Sequence, residues 1–213
     1  MSKGSKSVAR RRFLAGMGTG VTALGAITAA GSPAAAQSAG SAWTPEHHPQ
    51  DEWLDKIPGK HRFVFDTTTI EALNSAILYA GNYYTANQSG YGLGDADLAV
   101  VIVARHFSTP FAYNDAIWSK YGTPISSFLG NNNKTNTYGR QLAGLTGRGM
   151  HLAVCQMATR LLSQTIARSV GGNADEVYKE ISENLLPNSH LVPAGIVAVN
   201  RAQEHGYAFA YTE

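Results

Sequence analysis

The chain holds one cysteine, Cys155, and its neighbours decide what that thiol can do. It closes the apolar run MHLAVC and is followed at once by QMATRLLSQTIARS, which has helical spacing. A strand that ends in Cys and passes straight into a helix places the sulfur near amides that have no intrahelical partner. The helix dipole adds to that field, and both favour a thiolate. The same position also suits a buried cysteine acting as a small apolar side chain, and the sequence leaves both readings open. The dipole supplies about 0.3–1 kcal/mol against about 1.4 kcal/mol for one pKa unit, so a useful shift needs a second contributor. Arg105 and His106, which follow the run DLAVVIVA, are the expected contributors of positive charge or hydrogen bonds. In an open α/β sheet, ligands bind outside the carboxyl ends of the strands, where these residues fall. Thr67, after the run RFVFD, and Asn114 are expected to line the same crevice.

Other chemistries find less support. Glu46-His47-His48 are metal-ligand types, but no cysteine or suitably spaced histidine completes a set, so no metal is expected. The glycine cluster Gly90-Tyr91-Gly92-Leu93-Gly94 precedes an apolar strand. A phosphate-cradling loop must follow a strand and open a helix, so this cluster is misplaced for a nucleotide, and no cofactor is expected. There is no G-x-S-x-G elbow for a serine nucleophile.

These residues need elements to hold them. Residues 62–66 predict a strand, and Thr68 with Glu71 predicts a capping box opening a helix with Leu73, Ile77, Ala80 and Tyr84 on one face. Residues 97–104, 150–155, 189–193 and 207–211 read as further strands, with helices over 112–121, 156–169, 194–205 and from Asn173 to before Pro187. Strands separated by helices imply an α/β domain with a mostly parallel sheet of about five strands, covering 61–213. Residues 122–149 read as a long surface loop, and 37–60 as an extended polar arm.

The first 36 residues read differently. Arg10-Arg11, one residue, then Phe13-Leu14 is the twin-arginine export pattern, and Ala34-Ala35-Ala36 offers a cleavage site. Five of the 17 Lys and Arg precede residue 37 and none of the 15 Asp and Glu do, so the remaining 12 and 15 leave a body of charge −3. Such a body gives no electrostatic reason to bind nucleic acid, or a membrane once the signal is removed. A periplasmic location is expected.

The stretch MHLAVCQMATRLLSQ, with the ending Val192-Pro193-Ala194-Gly195 … Gln203 … Gly206-Tyr207-Ala208, resembles the DsrE/DsrF/TusD-like sulfur-relay family. The segment VIVARHFSTPFAYNDAIWSKYG looks like an exported branch of it. The resemblance implies a five-stranded α/β domain that assembles into trimers or hexamers. It also implies that Cys155 carries a persulfide between a sulfur donor and an acceptor protein. The alternative is a non-catalytic oligomeric module that binds a small ligand. Trp43, Trp53 and Trp118, in segments poorly placed to reach one core, add to the expectation of a homo-oligomer.

Overall fold

Leu98–Ala104 (LAVVIVA) is buried at every position and forms β2, the middle strand of a five-stranded sheet. An uninterrupted apolar run is what a strand covered on both faces requires. The computed structural model describes residues 43–213, of which Pro45–Glu213 form one compact unit. The export signal expected over 1–36 lies outside the described residues. The elements run α1 (Trp53–Lys56), β1 (His61–Thr67), α2 (Ile70–Tyr91), β2, α3 (Asp115–Leu129), α4 (Gly139–Gly147), β3 (His151–Cys155), α5 (Gln156–Val170), α6 (Ala174–Ser182), β4 (Ser189–Val192), α7 (Gly195–Glu204) and β5 (Ala208–Tyr211). Every pairing is parallel, in the order β4-β3-β2-β1-β5. The protein is α/β, with one parallel sheet flanked by helices.

Strand alternation sorts the core into two layers. Phe65, Val100, Ile102, Leu152 and Val154 face one side, packed with Leu73, Tyr84, Trp118, Ile125, Leu162 and Ile166 of the helices. Val64, Ala99, Val101, Val103 and Ala153 face the other, against Leu54 of α1 and Ala198, Val199 and Ala202 of α7. Crossover handedness explains the division. The connections from β1 through to β4 step in one direction across the sheet, so right-handed crossovers put their helices on one face. Helix α7 carries the chain from the β4 edge to the β5 edge, in the opposite direction, and the same handedness sends it to the other face. The connections leaving the neighbouring ends of β3 and β4 therefore diverge, which opens a crevice there.

Four expectations are corrected. Residues 49–57 do not belong to an extended arm: a 3-10 turn (Pro49–Asp51) leads into α1, and Leu54 and Ile57 enter the core at 1% and 2% exposure. Three residues apart, these two share a face on a single turn, too short for a period to show. The 122–149 stretch is not one loop, since α3 continues to Leu129 and α4 fills Gly139–Gly147. The interior Gly122 and Pro124 disguised α3. Gly122 lies where the backbone at Lys134 returns, leaving no room for a Cβ. The cap of α2 is Thr69, which accepts from the Ala72 amide at 3.0 Å, and not Thr68. Trp118 is a core residue, its indole N–H donating to the Pro110 carbonyl at 2.9 Å, and Trp53 stacks on His190.

Candidate functional site

Cys155 ends β3 and is the N-cap of α5. Next to it in the sheet, Val192 ends β4, and Pro193-Ala194 leads into α7. Two helix N-termini thus diverge on either side of the thiol, at the reversal of connections. The cleft between them has a volume of about 520 Å³ and is lined by Cys155, Arg105 and His106 among apolar neighbours. Those neighbours include Phe107, Met157, Leu161 and Ile196, exposed at 47%, 67%, 52% and 59%. Phe128 completes the rim and pairs with Phe107 at 5.5 Å between ring centroids. Cys155 itself is 7% exposed.

The fold holds the cysteine by its backbone. Its carbonyl accepts the Thr159 hydroxyl at 3.0 Å, and Thr159 receives the buried Tyr113 hydroxyl at 3.0 Å. Burial pushes the Tyr113 phenol well above its usual range, so it stays a protonated donor. No amide of α5 hydrogen-bonds to the Cys155 side chain. The expected amide contact to the sulfur is therefore not made, and the dipole is what the helix contributes.

Arg105 does not offer a free charge. Its Nε and Nη2 donate to the two oxygens of Asp66 at 2.7 and 2.8 Å, with Asp66 buried at the end of β1. That bidentate bond, above all, holds the guanidinium more basic than usual. Burial opposes it, and Asp66, Tyr211 and Cys155 add smaller electrostatic contributions. The Arg105 stem lies across Gly195, where a Cβ would stand 2.6 Å from the Arg105 Cβ and 2.7 Å from its Cδ. The glycine of the V-P-A-G ending thus makes room for the ion pair. His106 lies on the rim in the left-handed region at φ 53°, a strained conformation for a residue with a side chain. It reverses the chain so that the Phe107 amide reaches the Thr68 carbonyl at 3.0 Å.

Of the five residues expected at the site, Cys155, Arg105 and His106 meet at the cleft, and Thr67 and Asn114 do not line it. Thr67 is fully buried, with its hydroxyl 2.8 Å from the Val103 carbonyl and 2.8 Å from Ser108. It secures the turn after β2. Asn114 is the N-cap of α3: its side-chain oxygen accepts from the Ala116 and Ile117 amides, and its amide donates to Asn184. A cap must spend its polar atoms on its own helix end. Asp66 and the apolar rim were missed. A carboxylate inside the apolar run RFVFD signals a required cationic partner. Met157 and Leu161, four apart and opposite the core face of α5, signal an apolar surface.

No family model matches the sequence, and no curated protein does. One solved structure similar to it is that of a protein of unknown function from Methanobacterium thermoautotrophicum, with a TM-score of 0.42 and 17% identity. The alignment covers 71% of this chain and 99% of that one. A likeness of that extent settles neither family nor activity.

Proposed function

We propose that this is an exported DsrE-like protein that carries sulfane sulfur on Cys155. The observation that supports this reading most is the position of Cys155 in the cleft where the connections of β3 and β4 diverge. In the step envisaged, the Cys155 thiolate attacks the outer sulfur of a donor persulfide. A new S–S bond forms on Cys155 as the donor's S–S bond breaks, and the donor leaves as a thiolate that takes up a proton. Transfer to an acceptor thiolate is the same exchange in reverse, so no external oxidant or reductant is needed. Arg105, fixed by Asp66, shapes one wall, and His106 stands on the rim near any anion formed there.

The decisive experiment is alkylation of the native protein followed by mass analysis after incubation with a persulfide donor. The expected result is modification of folded Cys155 and gain of one sulfur, released by a reducing thiol and absent in Cys155→Ser. If Cys155 resists alkylation until the protein is unfolded, the sulfur-carrier reading falls. The second reading, a binding module for a small apolar ligand, would then take its place. The exposed apolar rim and the lack of an amide bond to the sulfur favour that reading.

Two further parts belong to the proposal. One is export, which Lys at both Arg10 and Arg11 should block, because Lys lacks the guanidinium fork. The other is a homo-oligomer, trimer or hexamer. Trp118 no longer motivates it, whereas exposed Leu78, Tyr79, Phe209 and Tyr211 do. Light scattering that gave a monomer mass at micromolar concentration would defeat it.

A further inference from the structure

Helix α7 begins at the cysteine cleft and ends, at the amino side of the sheet, beside a second group of reactive side chains. His205, its C-cap, is buried, with its side chain 1% exposed. Asp55 of α1 and His47 of the segment before it lie against His205, and each is half-exposed. One ligand atom from each of the three lies within 4.8 Å of the others. The Glu46-His47-His48 motif lacked a completing ligand in the sequence, and folding supplies Asp55, eight residues from His47, and His205 from far along the chain.

We propose that His47, Asp55 and His205 form a site for a divalent cation of the zinc class. Oδ2 of Asp55 stands 2.9 Å from Nδ1 of His205 and 3.9 Å from Nδ1 of His47. Donors bound at about 2.0–2.2 Å around a tetrahedral ion are roughly 3.3–3.6 Å apart. The 2.9 Å pair must therefore open slightly, and separations of up to 4.8 Å must close by no more than about 1.5 Å. Arg62 occupies the other oxygen, Oδ1, at 3.2 Å, which leaves Oδ2 for a one-point bond to the metal. Nε2 of His205 is buried without a partner among the described residues, where the ring's one polar contact is made on the edge that faces the cluster. The two imidazoles pack with centroids 4.1 Å apart. The half-exposed His47 and Asp55 leave the solvent side open for a water as fourth ligand. Two imidazoles and one carboxylate suit zinc, cobalt or nickel, and are a poor set for magnesium or calcium. An imidazole binds a metal only as the neutral ring, here with its proton on the other nitrogen, so protons compete with the metal and affinity falls with falling pH. A bound ion would clasp the segment before β1 to the end of α7.

The test uses the full untagged chain, stripped of metal with a chelator. Zinc is titrated by calorimetry and cobalt by visible absorption. One ion per chain is expected, with the intense cobalt spectrum of four-coordinate geometry. His47→Ala should weaken binding at least tenfold and His48→Ala should not. Asp55→Asn should also weaken it, and if that variant fails to fold, His47→Ala alone decides, because a half-exposed His47 leaves the core intact. Absence of saturable one-to-one binding overturns the proposal, as does unchanged affinity in His47→Ala. So does a thiolate-to-cobalt charge-transfer band, which would put the ion on Cys155.

Discussion

Helix α7 joins two regions of opposite character. At its start, in the cleft, the charged groups are consumed: Arg105 and Asp66 satisfy each other bidentately, and what faces solvent is Phe107, Met157, Leu161 and Ile196. At the amino side of the sheet the apolar groups are consumed instead. Leu54 and Ile57 are sealed in the core, and imidazoles and carboxylates gather around them. There His151 Nδ1 lies 2.8 Å from His190 Nε2, under the ring of Trp53, whose centroid is 4.0 Å from that of His190. Where connections diverge, helix N-termini leave a gap that nothing in the described residues covers. Where the chain enters β1, the segment carrying α1 folds over the sheet and brings its polar side chains along. An open apolar cleft and a cluster of polar side chains thus follow from one topology.

The comparison breaks most readily at the ion pair. Arg105→Ala strands the Asp66 carboxylate in a buried position, and chemical denaturation should show a loss of about 3–5 kcal/mol. A loss below about 1 kcal/mol would mean that the cleft's charges are not closed as described. Gly195→Ala should act in the same direction, at about 1–3 kcal/mol, because the new methyl displaces the Arg105 stem. Combined with Arg105→Ala, only part of its cost should vanish, because the Cδ contact at 2.7 Å goes while the Arg105 Cβ at 2.6 Å stays, and a double-mutant cycle would reveal that partial non-additivity.

At the amino side of the sheet the expected effect is smaller and appears as pH dependence. Burial, with the nearby His151 adding, pushes His190 down to about 4 from an ordinary 6.5, and burial also lowers His151. The folded state resists protonation while the unfolded chain takes protons up below about 6.5. Stability present above about 6.5 is therefore lost as pH falls toward about 4. Both rings are partly solvated, which tempers the size of the loss. The carboxylates of Asp55, Asp95, Glu180 and Glu204 are all held below their usual values, chiefly by hydrogen bonds from His205, Arg148, Lys120 and Arg201 respectively, so their losses come at lower pH. His190→Gln should flatten the slope between about 4 and 6.5, and an unchanged slope would assign it elsewhere. The smallest effect belongs to the open rim. Leu161→Ser should alter stability by no more than about 0.5 kcal/mol, since the side chain is already half in water. If thermal unfolding of that variant falls well outside this range, the rim is packed and the cleft is not open.

Much of the fold was legible because it rests on local spacing. The run LAVVIVA is continuous because β2 is covered on both faces, and Asn173 marked the start of α6 because its side chain caps the Asp175 and Glu176 amides. Helix α3 was read too short because Gly122 and Pro124 are poor helix formers, and tertiary packing kept the helix going through them. Of the site, the cysteine at a strand–helix junction was legible, and so were Arg105 and His106 at a strand end. Thr67 and Asn114 were misplaced because a residue's position in the chain does not say which partner will take its polar atoms.

By itself, the sequence determined the five strands, the helices between them, the thiol at the end of the third strand and the glycine in the V-P-A-G ending. Each depends on periodicity, capping or side-chain size within a few residues. Only the tertiary structure decided that Asp66 answers Arg105, that Gly195 exists to let that pair pass, and that His47 meets Asp55 and His205. Those contacts join residues from 8 to 158 positions apart along the chain. They arise from strand order and crossover handedness, which no local pattern encodes.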